Sequence, residues 1–469
     1  MTMTGSARFR WLAVLLLAVV VSRIPLLPTC YSSDPDGWRV AHAGKAFWET
    51  GVYSVSRFPG YPVHEIIEGL AVLAGGPLLS NAATLLVSLV LIVFWYGFVE
   101  KHTSSPKLLT FLLAFTPLFW IDSASTIDYV WSLLFILLSF SAAQQKRAVL
   151  AGVWLGVAIG CRPTNAVALV PVFALLYLQS APKKTLAIFA VTFLVSTLVV
   201  FSPMLMTYGL TGWVTQTLAD TRDAHLPPVL RLESFLYRSV YGIGPLAVLA
   251  LVGVLLAGRR RLITVCRDRN PLMIASCAGV ISFVVLFAVF PLDKSYLLPV
   301  FPFLFLLVER VATRRAFLAV ICCVVSFAFI NPDAIHHVKP KGSPGFNLHD
   351  GMFMYELDAR KKLMTDRGLM AKLPLKGKAV VMLTTSESFW FENKEVELDT
   401  SGQWTALGDV FSHSTLNPDV HFTSVLTLHS VHTLQADGYT VYCPDWATGL
   451  IQRWNGYDPV QEGVQTLPL

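Results

Sequence analysis

Two acids stand close together in the stretch "YSSDPDGWRV", Asp34 and Asp36, directly after a run of mostly apolar residues, "WLAVLLLAVVVSRIPLLP". A carboxylate in such a place has two ordinary uses. It can cap a following helix, whose unbonded N–H groups and dipole favour an anion at the N-terminus. It can also serve as a general base, taking the proton of a hydroxyl as that hydroxyl attacks an activated carbon. Other charged residues recur at the ends of apolar runs: Asp122, Asp128, Arg162 in "GCRPTN", and Asp293 with Lys294. A charge near membrane depth is costly and therefore a candidate for function, whereas one at a span end can be solvated or snorkel. Arg57 in "SRFPGYP", together with Arg162, Arg222, Arg231 and Lys294, offers cations to a phosphate, and the guanidinium fork engages phosphate oxygens in pairs.

The elements that must hold these residues follow from the apolar pattern. The chain has 469 residues, 54% hydrophobic and only 14% charged, with a mean hydropathy of +0.58, far from the roughly one quarter charged residues of a soluble chain. This composition predicts an all-α polytopic membrane protein. Apolar segments near 11–28, 81–99, 108–121, 129–143, 148–160, 163–178, 185–208, 240–257, 271–291, 296–308 and 316–330 give eleven expected spans. Several fall short of the roughly 20 residues that cross a ~30 Å core, and the pair around "GCRPTN" reads as a hairpin of half-length helices. The first segment, preceded by Arg8 and Arg10, reads as a retained anchor rather than a cleaved signal.

Short-loop Lys and Arg residues alternate with loops that lack them. The positive-inside rule then puts the N-terminus and the Arg259–Arg269 cluster in the cytoplasm. The first loop (30–65), the segment 209–239 and everything after residue 331 fall outside. The net charge of +6 is an orientation signal on this count and no sign of nucleic acid. Within the first loop, Val40, Ala43, Phe47 and Trp48 fall at helical spacing, so residues 37–50 are expected to form an amphipathic helix in the interface plane, stopped by Gly51.

The tail, residues 331–469, reads as a small extracytoplasmic α/β domain beyond the membrane domain of residues 1–330. "KAVVMLTT" and "YTVYC" are strands, "GMFMYELDARKKLMTDRGLMAKL" a helix, and "KPKGSPG" a linker. The seven cysteines show no paired spacing, although Cys30 and Cys443 fall in one compartment. "VHEIIE" lacks the second histidine of a zincin helix; a divalent metal through His64 and Glu65 is the lesser reading, and no cofactor is expected. No phosphate-loop or dinucleotide fingerprint occurs, which disfavours a nucleotide-sugar donor and ATP-driven transport.

An Asp in the first outer loop, an interface helix ending in "ETG", then Arg57 and "PGYP" leading into another helix resemble the GT-C superfamily of integral-membrane glycosyltransferases, nearest its protein mannosyltransferase and lipid A aminoarabinose transferase branch. "LLAFTPLFWIDSASTIDYVWSLLFILLSF", "AGVWLGVAIGCRPTNAVALVPVFALLYL" and "KSYLLPVFPFLFLL" resemble later segments of that branch. The resemblance covers roughly residues 10–330. It implies an inverting enzyme that moves a sugar from a polyprenyl-phosphate donor to a lipid, glycan or protein hydroxyl on the extracytoplasmic side; the compact tail and short loops point to a bacterial inner membrane. By the same resemblance Asp36 is the general base with Asp34 its rival, and Arg57 matches the family's basic residue before a Pro-rich turn; Arg162, Arg222, Arg231 and Lys294 are further outward cations, and with Tyr61, His64, Glu65 and Asp128 they complete the candidate substrate-binding set. The family's base is usually followed by Glu; here Gly37 follows Asp36 and Pro35 follows Asp34. Two other classes fit the same charges: a transporter or flippase of lipid-linked sugars, and a non-catalytic lipid-binding relative.

Overall fold

The computed structural model describes residues 5–223, 227–332, 348–370 and 372–467, apart from 376, 384–385, 400, 402, 405–406 and 408–409. The expected linker at 339–345 lies outside the described residues. Two units emerge, one of residues up to Ser32 and Val40–Asp358, the other of Ser33–Arg39 and Ala359–Leu469.

The first unit is helical. Helix α1 (Gly5–Arg23) is followed by α2 (Pro35–Thr50), whose first residues count with the second unit, and by α3 (Pro62–His102). The helix expected over 37–50 is thus present, and Gly51 ends it with a φ of +72°. Helix α2 sits tightly on α3, because Gly44 meets Gly69 backbone to backbone: a methyl on Gly69 would lie 2.3 Å from the Gly44 carbonyl. The Trp48 indole N–H, donating to the Ile66 carbonyl at 2.7 Å, closes the same seam. Helix α3 bends at Gly75-Gly76-Pro77, where Gly76 has a φ of +56° that a side chain would resist.

The run expected as one span at 108–121 breaks into α4 (Pro106–Ala114) and α5 (Pro117–Asp122), since Pro117 cannot continue the preceding helix. Helix α6 (Tyr129–Gln144) is buried on almost every side; α7 (Ala148–Cys161) packs between it and α9 (Lys183–Val200). Gly152 and Gly156 let α9 approach; methyls there would lie 2.7 Å from the Phe189 carbonyl and 2.5 Å from Ser196. After α7 the chain leaves the helix at Arg162 (φ −153°, ψ 103°), the extended geometry that a following proline imposes, and resumes through a short 3₁₀ turn as α8 (Leu169–Leu178). The half-helix reading of "GCRPTN" fits this break.

Helix α10 (Ser202–Asp223), α11 (Pro228–Ile243) and α12 (Pro245–Ala257) follow, the last two bent by 91°. Then come α13 (Arg259–Arg267), α14 (Pro271–Val289), α15 (Val300–Val311) and α16 (Arg314–Ser326). Strands β1 (Ile330–Pro332) and β2 (Leu348–Asp350) pair antiparallel, and α17 (Met352–Met370) leads out of the unit. Among the described residues four helices are long and apolar enough to cross a membrane, α1, α3, α9 and α14, with the bent α11–α12 pair a fifth. The eleven apolar segments therefore do not map onto eleven full-length helices: α6, α7 and the 163–178 segment are shorter.

The second unit holds a six-stranded sheet in the order β4 (Val396–Leu398), β5 (Ser412–Ser414), β6 (Val420–Ser424), β3 (Ala379–Leu383), β7 (Thr440–Pro444), β8 (Gln465–Leu467). Both expected strands are present, β3 and β7, side by side and parallel. Alternate β3 residues point to opposite faces. Val380 and Met382 pack with Val431, Leu434 and Ile451 of α19 (Leu428–Ala436) and α20 (Thr448–Asn455), whereas Val381 and Leu383 pack with Phe389 of α18 (Ser386–Trp390). The sheet ends in an antiparallel corner where Glu397, His413 and His421 stand opposite one another across β4, β5 and β6. There His421 lies against Trp404 (ring centroids 4.9 Å) and its Nδ1 is 4.0 Å from the Asp399 carboxylate. Cys443 is a free thiol, and the Cys30 thiol donates to the Ser32 carbonyl at 3.3 Å.

Burial lowers the pKa of His421, with Asp399 only partly offsetting it. Burial pushes the Asp399 carboxyl up, but hydrogen bonds from Ser401 and Trp404 outweigh it and hold it below the usual carboxylate range. Both groups bind protons more weakly folded than unfolded, so the corner loses stability as pH falls below the unfolded histidine value of about 6.5. Hydrogen exchange of peptides covering 411–424, corrected for intrinsic rates, is expected to speed up between pH 7.5 and 5.5 more than that of β3, and His421→Phe to abolish the difference. A second prediction concerns the α2–α3 seam: Gly69→Ala forces those backbones apart and is expected to cost about 1–3 kcal/mol, read as a lower unfolding temperature of the full chain.

Candidate functional site

Asp128 stands at the N-cap position of α6, yet its side chain makes no capping bond. It faces inward instead. One carboxylate oxygen accepts from Arg57 Nη2 at 3.0 Å and the other from Arg162 Nη1 at 2.7 Å. The two arginines come from distant loops, Arg57 from the turn before α3 and Arg162 from the break after α7. Asp128 is fully buried and the Arg162 side chain is 3% exposed, while that of Arg57 is 13% exposed. The cluster therefore opens toward Arg57.

Aromatic rings complete it. The Arg162 guanidinium lies 3.6 Å from the Tyr129 ring centre and 4.4 Å from that of Tyr296, and Arg57 lies 4.0 Å from that of Tyr61. Arg162 Nη2 donates to the Tyr129 hydroxyl at 2.7 Å, and that hydroxyl donates onward to Asp293 at 2.5 Å. Asp293 also accepts the Ser295 N–H at 3.2 Å, and Lys294 lies 5.3 Å from the Tyr241 ring centre. Two guanidiniums share one carboxylate directly, and the second acid reaches them only through a phenol. The arrangement suits a further anion, held by planar donors within an apolar surround.

One turn into α3, the predicted Glu65 has a different occupation. Its carboxylate accepts from the Tyr53 hydroxyl and from the backbone N–H groups of Ser56 (2.9 Å) and Tyr61 (3.2 Å), which pins the loop that carries Arg57. His64 is fully buried, with its Nε2 3.8 Å from Glu68, and neither ring nitrogen has a hydrogen-bond partner among the described residues. Glu68 accepts from Ser80 (2.6 Å) and Thr84 (2.7 Å). Among the described residues no group of three or more His, Cys, Asp or Glu side chains could hold a metal ion.

The cluster thus gathers four of the predicted residues, Arg57, Tyr61, Asp128 and Arg162. Arg222 lies in the last turn of α10 and Arg231 in the first turn of α11, and the described hydrogen bonds to the Asp128 carboxylate come from neither. Asp34 and Asp36 belong to the second unit. There the Asp34 carboxylate accepts the Asp36 N–H at 2.8 Å, an ordinary cap at the start of α2, and Asp36 lies 3.6 Å from Arg39. Sequence reasoning missed Tyr129, Tyr296 and Glu68; Tyr129 next to Asp128 and Tyr296 two residues after Lys294 were signals at hand, while nothing in the spacing marks Glu68 beyond its place in "VHEIIE".

Residues 67–289, just under half of the chain, match the family model of glycosyltransferase family 87, a GT-C family. The resemblance to integral-membrane glycosyltransferases is borne out over that segment, which contains Asp128 and Arg162 but neither Arg57 nor the paired acids. Two crystal structures of ArnT from Cupriavidus metallidurans are similar. The apo form aligns at 16% identity with a TM-score of 0.45 over 65% of this chain, and the form bound to undecaprenyl phosphate at 17% identity with 0.47 over 64%. This chain spans 59% of the length of each. No curated protein matches the sequence.

Removing the shared carboxylate leaves two buried guanidiniums without their direct counter-charge. Asp128→Asn is expected to destabilise the fold by about 3–5 kcal/mol, measured as a drop in unfolding temperature. Arg57→Gln, at the open edge of the cluster, is expected to cost much less.

Proposed function

We propose that this protein is a membrane glycosyltransferase that moves a sugar from a polyprenyl-phosphate donor to a hydroxyl acceptor, lipid, glycan or protein, on the extracytoplasmic face of a bacterial inner membrane. One observation carries the reading: Asp128 and Arg162, inside the segment that matches glycosyltransferase family 87, share a buried cluster with a second arginine. An acceptor oxygen attacks the anomeric carbon with inversion, the bond from that carbon to the phosphate oxygen breaks, and its electron pair stays on the phosphate. Charge that develops there is met by Arg57 and Arg162, donors already oriented by Asp128 before the reaction begins.

The acceptor's proton goes to Asp36 in this reading. Asp34 accepts the Asp36 N–H, the bond of a helix cap, worth about 1 kcal/mol of helix stability, and is the rival for the same role. In this reading the N-terminus lies in the cytoplasm and the sheet-bearing tail outside.

The test is transfer by the purified full-length protein from radiolabelled polyprenyl-phosphate sugars to candidate acceptors. Asp36→Asn is expected to lower kcat by about 100-fold or more, with folding unchanged, and Asp34→Asn to leave most of the activity. Full activity in Asp36→Asn overturns the base assignment. A wild-type protein that transfers from no donor yet moves lipid-linked sugars across vesicles overturns the transferase reading in favour of transport.

A further inference from the structure

Five arginines crowd the connection between α12 and α14: Arg259, Arg260, Arg261, Arg267 and Arg269. All five are exposed. The fold adds three more from a separate loop. Helix α13 docks its start on the end of α15, where Arg261 Nη1 donates to the Val311 carbonyl at 3.3 Å and a methyl on Gly258 would lie 2.8 Å from Val311. This brings Arg310, Arg314 and Arg315, likewise exposed, alongside the first group. Among the described residues none of the eight forms an ion pair with a carboxylate. The nearest acid on α15, Glu309, is occupied: it accepts from the Ser104 hydroxyl (2.6 Å) and from the N–H groups of Ser104 and Ser105 (3.0 Å each).

Eight guanidiniums on two adjoining connections outnumber the carboxylate of exposed Asp268, which stands between Arg267 and Arg269, and repel one another unless a further anion joins them. Their depth says which anion. Arg259 follows Ala257, the last residue of the apolar helix α12, by two positions, and Arg269 precedes Pro271, the first residue of α14, by two. Helix α14 is long and apolar enough to cross a membrane. On α13 itself Leu262 packs on the core and Ile263 is 65% exposed, so the helix offers apolar side chains among its charges, as a helix lying at a lipid headgroup layer does.

We propose that these eight arginines form a binding surface for anionic phospholipid headgroups, in the leaflet where α12 ends and α14 begins. The surface is separate from the Asp128 cluster and does not depend on the sugar-transfer reading. It takes lipid phosphates in preference to zwitterionic headgroups because the latter carry their own cation and gain little from a field of arginines.

The test titrates the full-length protein, purified in a neutral detergent, with dioctanoyl phosphatidylglycerol or dioctanoyl phosphatidylcholine and reads bound lipid by native mass spectrometry. Phosphatidylglycerol is expected to bind about tenfold tighter or more than phosphatidylcholine, and more weakly at high salt. R259Q/R260Q/R261Q and R314Q/R315Q are each expected to weaken it about tenfold, while lysine at the same positions retains most of the binding and verifies the fold. K183Q/K184Q, which removes charge from a different loop, is expected to bind as the wild type does. Equal binding of the two lipids, unchanged binding in both arginine-to-glutamine variants, or an equal loss in K183Q/K184Q overturns the proposal. Displacement of the lipid by equimolar inorganic phosphate also overturns it, in favour of a free-phosphate site.

Discussion

A single buried carboxylate, that of Asp128, fixes two arginines that the chain carries a hundred residues apart, and the organisation of the membrane unit follows from that shared ion pair. Burial makes each charge expensive and the pairing obligatory. It also fixes direction. The fork of Arg162 has a carboxylate on one arm and the Tyr129 hydroxyl on the other, while its face rests on two tyrosine rings. Such a guanidinium cannot swing away to solvent. Arg57, with one arm on Asp128, the other on the Ser56 hydroxyl and a less buried side chain, forms the more exposed edge of the cluster.

The breaks in the apolar helices serve this arrangement. Pro163 ends α7 at Arg162, Pro117 restarts the chain just before the loop that ends at Asp128, and the turn through Pro59 and Gly60 presents Arg57 ahead of α3. A continuous helix would spread those residues along its axis at 1.5 Å per residue. Interrupted helices instead expose backbone and side-chain polar groups at one depth, where protein rather than lipid satisfies them. Glu65 is part of this economy of polar groups, since it ties the Arg57 loop back to the first turn of α3 through two backbone N–H groups.

Much of this was readable from residue order. The interface helix and its stop at Gly51, the break in "GCRPTN", the strands in "KAVVMLTT" and "YTVYC", and the candidacy of Arg57, Asp128 and Arg162 all came from local signals: periodicity, glycine and proline positions, and charge where hydrocarbon should be. Less legible was the length of helices. Apolar composition does not report where a proline or glycine splits a run, so a segment such as 108–121 that reads as one span is two short helices. The opening acids show the same limit, because "DPDG" is equally compatible with a cap and a base. The structure finds the Asp34 side chain on the Asp36 N–H, a bond that either use permits.

By itself the sequence determined the class of molecule and the inventory of chemistry: helices too apolar for water, a tail with strands, and a short set of charged residues that such a chain would not carry without use. Only the tertiary structure decided which of those charges meet. Asp128 could have capped α6, as its position invites, and Arg162 could have snorkelled. Long-range packing decided otherwise, because the contact of α6 with α7 and the docking of the Arg57 loop on α3 bring opposite charges together where water is excluded. Sequence spacing carries no information about partners 34 and 71 residues away along the chain, as Arg162 and Arg57 are from Asp128.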